Sequence, residues 1–190
     1  MLSRLKVLTS QPKLALGALL TLLLAATAVV GSGADFTASS ANPANTFASG
    51  TLTIGNSKEG VALFTASNLR PGDSATPGIV DIENTGSLSG AFTLATSSVT
   101  NSDAGNPLAA KLNLIVVDCG VFNGSTPPTC GDGDDSTKYT GTIAAMGNTA
   151  LGNYAAAAKH RYRFSVTLDS SAGNAYQGDS SSVSFDFNAA

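Results

Sequence analysis

LRPGDSATPGIVDIENTGSLSGAFTL, residues Leu69–Leu94, decides how the chain folds. Pro71-Gly72 suits a type II turn: the pyrrolidine ring presets φ at the first central position, and glycine accepts a positive φ at the second. Val80 and Ile82 then alternate with Asp81 and Glu83, the period-two pattern of a strand with one wet face. Asn84-Thr85-Gly86 interrupts that run, and Phe92 and Leu94 then alternate with Ala91 and Thr93. A polar, glycine-punctuated corner between two half-buried strands joins strands of a β-sandwich.

The same grammar extends in both directions. Upstream, Thr46–Ile54 (TFASGTLTI) and Val61–Ala66 (VALFTA) are strand candidates, with Leu52 and Ile54 on one face of the first. Downstream, Ser97–Pro107 reads as a loop. Lys111–Asp118 (KLNLIVVD) is apolar on both faces at its centre, which predicts a strand covered on both sides; it is also an aggregation-prone window without proline. A weaker strand is expected near Tyr139–Met146. Leu151–Lys159 (LGNYAAAAK) is too short for a stable helix, and it is expected to be a loop or a single turn. In His160–Asp169, Tyr162, Phe164, Val166 and Leu168 face one way, while Arg161, Arg163, Ser165 and Thr167 face the other. Val183, Phe185 and Phe187 set the inner face of the last strand, Ser181–Asn188. The expectation is an all-β fold, an antiparallel jelly-roll or immunoglobulin-like β-sandwich of roughly seven to nine strands.

The N-terminus has another character. Arg4, Lys6 and Lys13 precede an uncharged apolar run, Leu14–Gly31, which ends in Ser32-Gly33-Ala34. Charge, length and small-residue exit predict a secretory signal peptide over residues 1–34, cleaved after Ala34. The competing reading is a permanent anchor, since the run approaches the ~18 residues of a spanning helix. Asp35–Asn45 (DFTASSANPAN) is nearly free of large apolar residues. It cannot bury enough surface to order itself, so residues 35–46 form an arm ahead of a sandwich over 47–190. The signal carries three of the ten basic residues and none of the thirteen acidic ones. The exported chain is therefore acidic, with no basic cluster to follow a nucleic-acid backbone.

Chemistry-bearing motifs are sparse. Cys119 and Cys130 are the only cysteines, and in an exported chain such a pair predicts a disulfide worth roughly 2–3 kcal/mol through loop restriction. His160 is the only histidine. A metalloprotease H-E-x-x-H helix needs two, and Gly86-Ser87-Leu88-Ser89-Gly90 has leucine where a nucleophile elbow needs serine. His160 therefore reads as an exposed residue at a strand end. Asp132, Asp134 and Asp135 (GDGDDS) could offer oxygens to calcium, but position 12 of an EF-hand loop would be Ile143. The plainer reading is a solvated loop tip. Asn123-Gly124-Ser125 matches a glycosylation sequon. Arg161 and Arg163 are expected to face Asp186 if their strands pair. No catalytic residue and no cofactor is assigned.

Taken together, ANPANTFASGTLTI, LRPGDS, IENTGSLSGAFTL and LDSSAGNAYQGDSSSVSFDFNA, behind a signal that ends in small residues, resemble the TasA/camelysin family of exported proteins, in a form typical of actinobacteria. The resemblance implies processing by a SipW-type signal peptidase. It also implies a secreted jelly-roll protein that polymerises head to tail into fibres of the biofilm matrix. Assembly would be by donor-strand exchange, in which the N-terminal arm of one subunit adds a strand to the next. The matching arm here is Asp35, Phe36 and Thr37 through to Phe47. The implied partners are other copies of the chain, with no membrane attachment after cleavage. The family's peptidase label would make the chain a secreted metallo-endopeptidase, but the single histidine does not supply a zinc ligand set. A monomeric adhesion module that binds through its loops is the third expectation.

Overall fold

The computed structural model describes Lys13, residues 16–21 and residues 48–190. The chain divides between Phe47 and Ala48, and residues 48–190 carry the fold. Residues 16–21 are helical; among the described residues no helix is long and apolar enough to cross a membrane. The signal cleavage site at Ala34 and the arm residues Asp35, Phe36, Thr37 and Phe47 lie outside the described residues.

The fold is an antiparallel β-sandwich. Its strands are β1 (Ile54–Asn56), β2 (Gly78–Asn84), β3 (Gly90–Asn101), β4 (Leu112–Phe122), β5 (Ser136–Thr142), β6 (Thr149–Tyr154), β7 (Lys159–Leu168) and β8 (Ser181–Ala189). One sheet has the order β1-β2-β7-β4-β5 and the other β6-β3-β8. Alternation explains the core. Val80 and Ile82 of β2, Phe92 and Leu94 of β3, Leu114 and Val116 of β4, and Tyr162, Phe164 and Val166 of β7 are buried between the sheets.

Leu69–Leu94 passes from one sheet to the other. The turn at its start closes with a hydrogen bond from the Asp73 N–H to the Arg70 carbonyl, 2.8 Å, and Gly72 has φ +94°, as a type II turn requires. At the corner between β2 and β3 the Asn84 side chain is fully buried. Its Nδ2 donates to the carbonyls of Leu88 (2.7 Å), Tyr154 (3.2 Å) and Ala155 (3.2 Å), and its Oδ1 accepts from the Gly86 N–H at 3.0 Å. The incoming chain crosses this corner: a Cβ on Gly86 would lie 2.8 Å from the Cα of Leu52, and one on Gly90 would lie 2.6 Å from Leu52 Cδ2.

Several local expectations are corrected. Val61–Ala66 is not a strand, although Leu63 and Phe64 pack on the core. Among the described residues of the first strand candidate only Ile54 is in a strand, because Thr51 and Thr53 spend their carbonyls on the corner at Ser87, Leu88 and Thr85. β3 continues to Asn101, into the expected loop, by way of a bulge after Ser97, where Ser98 has φ +51°. β4 continues through Cys119 to Phe122. Its outer face is not covered at Ile115, which is 42% exposed. β5 starts earlier than expected, at Ser136, and ends at Thr142. Of Leu151–Lys159, expected to be loop or a single turn, residues 155–158 are the turn, but residues 151–154 belong to β6, with Leu151 and Tyr154 buried and the strand paired with β3, and Lys159 opens β7.

Candidate functional site

The two flanks of the sandwich differ. On one, β5 meets β6, and two short 3-10 turns, Leu108–Ala110 and Ile143–Ala145, touch each other; buried Ala109, Ile143 and Met146 fill that side. The other flank lies between β1, only three residues long, and β8. There β1 touches β8, and the irregular segment 58–69 lies beside β8 with clefts between them.

Among the described residues β8 pairs only with β3. Ala91 and Ala190 exchange both backbone hydrogen bonds, 2.9 and 3.0 Å, which sets the phase of the ladder. Asn188, Asp186 and Ser184 bond to β3, so Val183, Phe185, Phe187 and Ala189 turn their N–H and C=O groups away from it. The same residues point their side chains toward the core. Phe185 packs its ring 5.0 Å from Phe164 and 6.0 Å from Phe64, and Phe187 lies 6.4 Å from both Phe164 and Tyr162. All of them stay only partly buried, because nothing among the described residues continues the sheet beyond them.

Two clefts run along this edge. One, of about 930 Å³, lies between Val183–Asn188 and Ile54, Asn56 and residues 58–63. The other, of about 790 Å³, continues past residues 62–69 to Tyr176 and Ser181. They share Leu63, Val183 and Phe185, and together they form a groove as long as β8. A groove of mixed lining, with Leu63, Val183 and Phe185 on its floor and Lys58, Glu59 and Asp179 at its sides, beside an unpaired strand edge has the chemistry of a receptor for an extended peptide: main-chain bonds supply affinity, and the apolar floor takes alternate side chains.

A second cluster occupies one end of the interior. Asp118 of β4 is 5% exposed; both its oxygens lie 3.1 Å from His160 Nδ1, and Lys138 Nζ stands 3.4 Å away. Burial pushes the Asp118 carboxyl up, but the hydrogen bonds from His160 and the Gly120 N–H, with the nearby positive charge, outweigh it and hold the group below the usual carboxylate range. The His160 ring stacks on Tyr154 at 4.2 Å, Tyr154 stacks on Phe92 at 4.2 Å, and the Tyr154 and Tyr162 hydroxyls are hydrogen-bonded. Burial raises both phenols well above their ordinary range. His160 is thus not the exposed residue expected from sequence: its side chain is 21% exposed and tied to Asp118. The cluster joins the two sheets through Tyr154 on β6 and Tyr162 on β7.

The remaining predicted residues are placed as follows. Cys119 and Cys130 are disulfide-bonded, with Cα atoms 4.7 Å apart. Asp132, Asp134 and Asp135 stay on the loop after the bridge, where Asp135 faces Arg163 at 3.9 Å. Among the described residues no group of three or more His, Cys, Asp and Glu side chains is arranged to hold a metal ion. Asn123 is exposed. Arg161 does not reach Asp186, because β7 and β8 lie in different sheets; it forms a two-point ion pair with Asp81 at 2.7 and 2.9 Å. Sequence reasoning found the inner face of β8 but not its open edge, since which neighbour a strand lacks is a property of topology. Comparison of the chain with protein-family models and with curated proteins finds no match.

Proposed function

We propose that the exported chain is a structural protein that polymerises outside the cell, the arm Asp35–Phe47 of one copy adding a strand to the edge of β8 in the next. The observation that carries this reading is the unpaired edge of β8 beside a groove floored by Leu63, Val183 and Phe185. A long, flat edge strand is an aggregation hazard that folded domains cover or charge. Here Val183, Phe185 and Phe187 lie along it, and the arm, by composition, needs a partner to order. Arm and groove are different surfaces of one chain, so the contact is heterologous and propagates head to tail.

The test is light scattering and electron microscopy of residues 35–190 against residues 48–190. The longer chain forms filaments and the shorter stays monomeric. Filaments of equal length from both would contradict strand donation, and uniform monomers of both would contradict polymerisation.

A further inference from the structure

The groove has a polar end, and it is unsatisfied. Asp179 and Ser181 line the groove where β8 begins. Asp179 Oδ1 accepts from the Ser102 hydroxyl at 3.2 Å. Asp179 Oδ2 and Ser181 Oγ are buried and, among the described residues, have no hydrogen-bond partner. A buried carboxylate oxygen without a donor costs stability until a donor arrives, and the donor it prefers is cationic.

We propose that this end of the groove captures the free α-ammonium of the incoming arm, the Asp35 amine exposed when the chain is cut after Ala34. The inference rests on the strand-donation reading. Its geometry is a parallel strand: the N-terminus of the arm lies at Asp179 and Ser181, and the arm runs along β8 toward Ala189. Mixed sheets of this kind, with one edge strand of the opposite sense, are common. Length agrees with the direction. With Phe36 opposite Val183, so that Phe36 and Ala38 face the floor, Pro43 falls opposite Ala190, one residue past the end of β8. Proline has no N–H for a ladder, so pairing ends where β8 ends. Lys111, whose Nζ lies 5.9 Å from the centre of the Tyr176 ring and donates to the Ser171 hydroxyl at 2.9 Å, adds positive charge near the same end. Cleavage then does more than release the chain: it creates the cation that the groove lacks, so the uncut precursor cannot complete the contact and assembly waits for export.

The experiment uses residues 35–190 with a free N-terminus, the same chain acetylated at Asp35, and Asp179→Asn with a free N-terminus. The onset concentration of assembly is read by light scattering, and thermal unfolding below that concentration checks the fold of each. Acetylation and Asp179→Asn each raise the onset about tenfold or more, and acetylating Asp179→Asn adds nothing further. An acetylated chain that assembles at the same concentration as the free one overturns the capture while leaving strand donation intact. If the free-amine chain stays monomeric like residues 48–190, strand donation itself fails, and the capture with it.

Discussion

Asn84 shows how much one buried polar side chain can hold. It satisfies three carbonyls from two loops and receives one N–H. Asn84→Ala leaves those groups without partners in the interior, which costs about 2–4 kcal/mol; urea unfolding of residues 48–190 measures it. Asp118 gives the pH dependence. Its carboxyl titrates below the ordinary value in the fold, whereas the unfolded chain titrates near about 3.9. The stabilisation is therefore fully present above that value and is lost as pH falls through the folded pKa. Thermal unfolding followed from about pH 6 down to about pH 2 should show the loss concentrated below about pH 4, and Asp118→Asn should flatten it. Both side chains were only half legible in the sequence. Asn84 two residues before Gly86 marked a turn, but the carbonyls it gathers come from Leu88, Tyr154 and Ala155. His160 looked like a lone strand-end residue because Asp118, its partner, lies 42 positions away.

Among the elements, strands with strict alternation were legible. The inner faces of β2, β7 and β8 follow directly from Val80 and Ile82, from Tyr162 to Leu168, and from Val183 to Phe187. Segments whose state depends on a neighbour were not. Val61–Ala66 has strand-forming residues, yet among the described residues it pairs with nothing and remains irregular. Residues 149–154 carry a weak local signal, yet they pair with β3. The ion pair expected between Arg161 and Asp186 failed for the same reason, since alternation fixes a strand's faces and leaves its neighbours open. The disulfide was legible from the cysteine count together with the expected export signal. It closes a loop with a sequence separation of 11 at the end of β4, away from the groove residues. Replacing both cysteines by serine should cost roughly 2–3 kcal/mol in chemical unfolding and leave the onset of assembly unchanged. A shift of that onset would implicate the loop in the contact.

At the scale of the whole molecule, five strands face three, and the imbalance falls on one flank. The sheet that holds β8 has two edge strands, β6, which packs beside β5 on one flank, and β8, which borders the groove on the other. The composition of residues 35–45 predicts an arm that needs a partner, and the edge of β8 that we propose for it is visible only in the strand order. Fold and groove are properties of residues 48–190; assembly would come from joining them to the arm of another copy. The most direct measurement adds a synthetic peptide of residues 35–47 to residues 48–190 and follows backbone amide exchange along β8. The account predicts that the Val183, Phe185 and Phe187 amides, open in the domain alone, become protected as the peptide binds, while Ser184 and Asp186, already bonded to β3, change little. Unchanged exchange at Val183, Phe185 and Phe187 with saturating peptide, or protection confined to another strand, would contradict it.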